Sequence, residues 1–517
     1  MKINWKYIEK YFFILMLLAY IFPIISIKYF PTLDGPAHLY NAKVFNELVS
    51  NSDSFYHSFY EINRKIPPNI TGHLILSVLL LILPVWLAEK IILLIYAIGL
   101  PVGLRYLFKS YDFKGNIILY LIFPFIYSFL FYYGSYNFNI AIVLSLFAIA
   151  YLKKIEPNNT KKYIIFYIIF GSLIVITHIF VYVIFAMFFL VDIINRVILL
   201  KTKITFKNIL FLCLTQLPPI IFIISYFSAS PAVEAQSTYL GFHEIITRLY
   251  RITPLISINF GRAELLSKLV FIIFVANILY LIIQKILRKL NQESNRKGNN
   301  VWLIFTLLLL VLIFFVPDSK GKETGFIIER ISILFFISLI IFLSSFEYRK
   351  WFNISIIILI SISNIFFLSH HINASRRISQ DTESLVEISN LIDENAIVYP
   401  IVVTDNFIYQ HMSNYLAAEK NILITDNYEA DLGDFLIICN KNKIPHIKLG
   451  NKSIGNYQPK QSINKNCVDV DFILILSNSP ISDYREVIKA EIYKELSDYS
   501  TLKQSENKNI ILLKRIE

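Results

Sequence analysis

Asp34 stands in Phe30-Pro31-Thr32-Leu33-Asp34-Gly35-Pro36-Ala37-His38-Leu39-Tyr40, directly after the first long apolar run. A carboxylate there can accept a proton or hold a cation, and His38, four residues on, can share that work from the same helical face. Gly35-Pro36 opens a helix, because glycine permits the tight turn and proline suits the first helical position. From 36 to 49, Tyr40, Val44 and Leu48 recur at i, i+4, i+8, while His38, Asn41, Asn46 and Glu47 are polar. That spacing predicts a helix lying on a membrane surface. The positive end of such a helix favours the ionised Asp34. The bland alternative is a cap or turn aspartate.

Few other residues carry chemistry. Glu61 is an acid flanked by aromatics, in Phe59-Tyr60-Glu61-Ile62-Asn63, and reads otherwise as a loop carboxylate. His178 falls between two apolar runs, where a lone histidine commonly bonds a helix end. Glu329-Arg330 opens an apolar run. An arginine at that depth pairs with its neighbouring acid, snorkels, or binds a lipid-borne phosphate with its planar fork. Lys322, Arg248 and Arg251 lie on loops of the same expected side and add cationic character.

The elements that must position these residues are membrane helices. Of 517 residues 56% are hydrophobic and 15% aromatic, and the mean hydropathy is +0.56, which places the chain among membrane proteins. The net charge of +12 sits in short loops between apolar runs, so it reports topology and not nucleic-acid binding. Lys2, Lys6 and Lys10 precede the first run without a cleavage pattern, so it reads as an uncleaved span from a cytoplasmic N-terminus. About eleven spans are expected, at 11–28, 91–107, 116–133, 138–152, 163–177, 180–194, 209–227, 269–286, 301–316, 327–346 and 352–368. The run 70–83 is short and reads as interfacial or re-entrant. With that choice every strongly basic short loop falls on the cytoplasmic side, and the first loop, 29–89, falls outside with Asp34.

The tail, 376–517, reads as a soluble α/β domain on the outer side. Apolar runs at 396–403, 421–425, 435–439, 472–477 and 510–514 suggest strands, with helices at 406–419 and 483–496. The expected domains are therefore 1–375, a polytopic helical membrane domain that includes the first outer loop, and 376–517. Cys439 and Cys467 lie in the tail, where pairing and two thiols are both open readings. No repeat, glycine-rich phosphate loop or Cys/His zinc spacing is visible.

The layout resembles the GT-C superfamily of polytopic glycosyltransferases, and Thr32-Leu33-Asp34-Gly35-Pro36-Ala37-His38-Leu39-Tyr40 is similar to its acidic motif after the first span. The resemblance implies sugar transfer from a polyprenyl-phosphate-linked donor to a glycan, lipid or protein acceptor at the outer face of the cytoplasmic membrane. It implies Asp34 as catalytic base, with His38, Tyr40, Glu61, His178, Lys322, Glu329 and Arg330 binding substrate. Gly35 replaces the second acid of the family pair, and Gly134 to Asn137, where many members carry another acid, has none. A site for a divalent cation is therefore not legible, and a metal-free inverting transfer is the coherent expectation. Two other classes share parts of this layout: a flippase or transporter of lipid-linked saccharides, which needs charges along its spans, and a non-catalytic membrane assembly protein.

Overall fold

The computed structural model describes residues 5–65, 67–113, 117–155, 160–199, 210, 213–229, 236–287, 296–320, 325–433, 435–439, 470–480, 482, 496 and 498–516. Among these, seven helices are long and apolar enough to cross a membrane: Glu9–Ser26, Val85–Ser110, Tyr136–Lys154, Ile179–Val197, Phe260–Ile286, Ile327–Ser344 and Lys350–Leu391. The chain is a multi-pass membrane protein. The other four expected spans are helical as well, in Ile117–Tyr132, Thr160–Thr177, Leu217–Ala229 and Arg296–Phe315. Thr71–Leu80 is a helix of only 10 residues, too short to span as a helix.

The chain divides into two compact units. The first comprises Met1–Pro23, Leu93–Phe131 and Ser135–Ala374 and is built of helices, with one short antiparallel pair of strands, β2 Ser237–Thr238 and β3 Ser319–Lys320. Two of its polar pairs lie within the packing: Arg105 donates to both oxygens of Glu9 at 2.7 and 2.6 Å, and Tyr20 donates to Asn364 Oδ1 at 2.5 Å. A polar atom facing hydrocarbon has no water to replace a missing partner, so such pairs fix helix register.

The second unit gathers Ile24–Ile92, Tyr132–Gly134 and Ser375–Glu517. The expected division at 375/376 lies beside this boundary, while the first outer loop packs with the tail. Helix Lys350–Ile388 runs unbroken for 39 residues through that point. A five-stranded sheet has the order β5-β4-β7-β9-β8, with β4 Ile397–Val403, β5 Leu423–Ile424, β7 Phe472–Ser477, β8 Tyr499–Gln504 and β9 Ile510–Arg515. β5 and β7 flank β4 in parallel, and β9 and β8 extend the sheet antiparallel. All six residues of β7 are buried, which is why Phe-Ile-Leu-Ile-Leu-Ser is a continuous apolar run. β8, an edge strand with five exposed residues, has a polar sequence and was not expected.

The run 435–439 contributes no strand to that sheet. Its strand β6, Ile437–Cys439, pairs antiparallel with β1, Tyr60–Ile62, from the first outer loop. The helix expected at 406–419 is a 3₁₀ turn, Phe407–Tyr409, followed by Asn414–Glu419. The helix expected at 483–496 and Cys467 lie outside the described residues apart from Leu496.

Candidate active site

After α1, Trp5–Ser26, helix α2, Gly35–Ser50, begins where Gly35-Pro36 predicts, with Asp34 as its N-cap residue. It is not a surface helix: all residues from Gly35 to Ala42 are buried, as are Val44 and Leu48. His38, Asn41 and Asn46 bond partners within the second unit, so the spacing of His38 and Asn41 recorded a polar core and not a water-facing stripe. Asn41 Nδ2 donates to Glu429 Oε2 at 2.7 Å and Asn427 Oδ1 at 3.0 Å.

Three consecutive backbone positions hold the turn that carries Asp34. Leu33 N–H donates to the Tyr132 carbonyl at 2.8 Å, and Asp34 N–H to the Tyr133 carbonyl at 3.1 Å. His38 Nε2 donates to the Gly134 carbonyl at 3.0 Å. Gly134 has φ +85°, and a Cβ there would stand 2.9 Å from Asp34 N. Glycine is required by the close approach and by the left-handed backbone.

Asp34 makes no side-chain bond to the α2 cap. Its Oδ1 lies 3.8 Å from His411 Nε2, whose Nδ1 lies 3.4 Å from Asp426 Oδ2. The Tyr428 hydroxyl hydrogen-bonds the Asp34 carboxyl, and its ring stacks on His411 with centroids 4.5 Å apart. Burial pushes the Asp34 carboxyl up to about 6 against the opposing pull of His411 and His38. Desolvation therefore outweighs the helix end that was expected to favour the ionised form. His411 rises despite its burial, because Asp426, then Asp34, favour its cation. The result is a carboxylate able to gain and lose a proton near neutrality.

A second cluster adjoins it along α2. His38 Nδ1 lies 2.5 Å from Glu429 Oε1, and His73 Nε2 lies 2.9 Å from Glu429 Oε2 and 3.2 Å from His38 Nδ1. Burial disfavours charge on His38 and Glu429, but Glu429 raises His38 to about 9, while His38 and His73 hold Glu429 well below the usual carboxylate range. Nearby, the buried Glu89 accepts from Thr32 Oγ1 at 3.0 Å and from the Tyr415 hydroxyl at 2.5 Å, bracing the residues just before Asp34.

The other expected residues are distributed differently. Tyr40 is fully buried on α2 with its hydroxyl 3.2 Å from that of Tyr60. Glu61 is exposed on β1. In the first unit, His178 is the extended residue between Thr160–Thr177 and Ile179–Ile194, buried with its ring against Phe138. Arg330 also faces the Phe138 ring, its guanidinium 5.9 Å from the centroid. The pairing of Glu329 with Arg330 is corrected: Glu329 bonds Arg248, which also reaches Asp318 at 3.6 Å and Glu244 at 2.8 Å. Adjacent residues on a helix point about 100° apart, so Glu329 and Arg330 address different neighbours. Arg251 pairs with Glu264 at 3.2 Å. Lys322 lies outside the described residues.

Sequence reasoning missed His73, His411, Asp426, Tyr428 and Glu429. His73 was hidden in an apolar run. Asp426-Asn427-Tyr428-Glu429 follows β5 and carries a helix-start signal, since the Asn427 side chain accepts from Ala430 N–H at 3.3 Å.

Fold and site define a multi-pass membrane protein whose second unit, an α/β sheet packed with the first loop, encloses a carboxylate–imidazole site. No protein-family model matches the chain, and no curated protein matches it. Among solved structures, it is similar to ArnT from Cupriavidus metallidurans bound to undecaprenyl phosphate, at 9% identity and a TM-score of 0.44, over 98% of this chain and 97% of that one. A likeness at that score assigns no residue role.

Proposed function

We propose that the protein is a GT-C-type glycosyltransferase that moves a sugar from a polyprenyl-phosphate carrier to an acceptor hydroxyl at the outer face of the cytoplasmic membrane. The observation that carries this reading is the Asp34 carboxyl: it declines the α2 cap and is instead buried against Tyr428 and His411. A capping aspartate would bond the helix N–H groups. The layout of the sequence, with an acidic residue after the first span and a soluble tail, supports the same class.

In the reaction, Asp34 Oδ accepts the proton of the acceptor hydroxyl as that oxygen bonds to the anomeric carbon. The bond from that carbon to the phosphate oxygen breaks, its electron pair leaves with the polyprenyl phosphate, and the configuration inverts. Asp426 favours the cation of His411, and that charge in turn favours the ionised Asp34 before the transfer. The departing phosphate needs a cation beside it and little protonation.

The test uses full-length protein in proteoliposomes supplied with radiolabelled polyprenyl-phosphate hexoses and pentoses and a membrane extract as acceptor. Wild type consumes one of the donors. Asp34→Asn, present at equal abundance, loses that consumption by about 10²-fold or more, the usual contribution of a general base. Equal turnover by the variant, or no turnover of any donor by wild type, ends the proposal.

A further inference from the structure

Among the described residues, His38, His73 and Glu429 place their ligand atoms within 4.8 Å of one another, and all three are buried. The group unites the first turn of α2, the start of helix Thr71–Leu80 and the short helix Tyr428–Leu432. It does not include Asp34, and it stands whether or not the chain transfers sugar.

The protonation pattern of His38 is fixed by its surroundings. A carbonyl only accepts, so the bond to Gly134 places a proton on Nε2 and, in the neutral ring, leaves the Nδ1 lone pair facing Glu429 and His73. A lone pair opposite a carboxylate oxygen at 2.5 Å repels it unless a cation or a proton lies between them. Metal-ligating histidines commonly donate their second N–H to a carbonyl in this way, which orients the ring and raises its basicity. Asn41 Nδ2 similarly steadies Glu429 Oε2. Two imidazole nitrogens and one carboxylate oxygen suit zinc better than magnesium or calcium, which prefer oxygen alone. At zinc bonds of about 2.0–2.1 Å, neighbouring ligands of a tetrahedral site stand about 3.3 Å apart. The two histidine nitrogens are 3.2 Å apart, so their spacing already fits. The carboxylate needs to retreat by less than about 1 Å to reach the same spacing.

We propose that His38, His73 and Glu429 form a zinc site with three protein ligands, its fourth position filled by water. The ion clamps the first-loop helices to the tail segment and thereby fixes α2, on which Asp34 lies one turn before His38. The competing arrangement contains only a proton: an imidazolium at His38 donating to Glu429, with His73 Nε2–H donating to the other oxygen.

The experiment uses the full chain purified in detergent without added metal. Elemental analysis of wild type finds zinc equimolar with protein, and His73→Asn and Glu429→Gln lose it. After removal of zinc by a chelator, titration of the wild type with Co²⁺ produces the intense visible absorption of a four-coordinate site, saturating at one equivalent. Should either variant fail to fold, the wild-type Co²⁺ titration decides alone. Absence of stoichiometric zinc together with absence of that absorption assigns the cluster to the proton and overturns the proposal. Because neither readout is turnover, this outcome leaves the transferase reading untouched.

Discussion

Gly134 and Asp34 touch backbone to backbone: a Cβ on Gly134 would lie 2.9 Å from the Asp34 nitrogen and 3.0 Å from its Cβ, at a φ of +85°. Three residues far along the chain thus form the seat of the Asp34 turn, through their carbonyls and this bare α-carbon. Gly134→Ala is expected to destabilise the protein by about 1–3 kcal/mol, from the left-handed backbone alone. Donor consumption falls with it, because Asp34 and His38 move together. A variant with unchanged thermal unfolding and unchanged turnover would show that the turn has room to spare.

The raised Asp34 carboxyl sets a pH window. Transfer needs the ionised base, so the rate rises from pH 5 to 7 with a midpoint near pH 6, followed as initial rate in buffered proteoliposomes. Stability runs the other way. The folded carboxyl binds its proton more tightly than the unfolded one, whose ordinary value is 3.8, so stability falls as pH rises from about 4 through 6. At pH 7 the shift from 3.8 to about 6 amounts to about 3 kcal/mol of destabilisation. Asp34→Asn should therefore melt higher than wild type at pH 7 while losing transfer. A lower melting temperature at both pH 4 and pH 7 contradicts this account.

His411 is expected to act through Asp34. Its positive charge lowers the Asp34 carboxyl, so His411→Gln shifts the acidic limb of the rate profile to higher pH. Asp426→Asn, which weakens the charge on His411, shifts it the same way by less. A purely structural role lowers the plateau and leaves the midpoint in place, and the measured profile separates the two.

In the first unit, Glu329→Ala leaves Arg248 with Asp318 and Glu244. Loss of the buried charged bond is expected to cost about 1.5–3 kcal/mol of stability. Arg248→Ala together with Glu329→Ala should cost less than the sum of the single changes, since the two share one interaction. Additive losses, measured by thermal unfolding in detergent, would show that the pair is not coupled.

The sequence alone determined the membrane helices, the start of α2 at Gly35, and the strands β4, β5, β7 and β9, because each rests on local hydrophobic runs or on the backbone demands of glycine and proline. It pointed to Asp34 through position after the first apolar run. It did not show that α2 is buried, since a helical stripe of His38 and Asn41 reads alike whether water or Glu429 satisfies it. Nor did it mark β8, whose polar edge lacks the alternation of a half-buried strand. The partners of Asp34 and His38 were decided by tertiary structure: Asn41 and Glu429 meet across 388 residues. Only burial turns those separate residues into a site, by removing the water that would otherwise screen one carboxyl from the next imidazole.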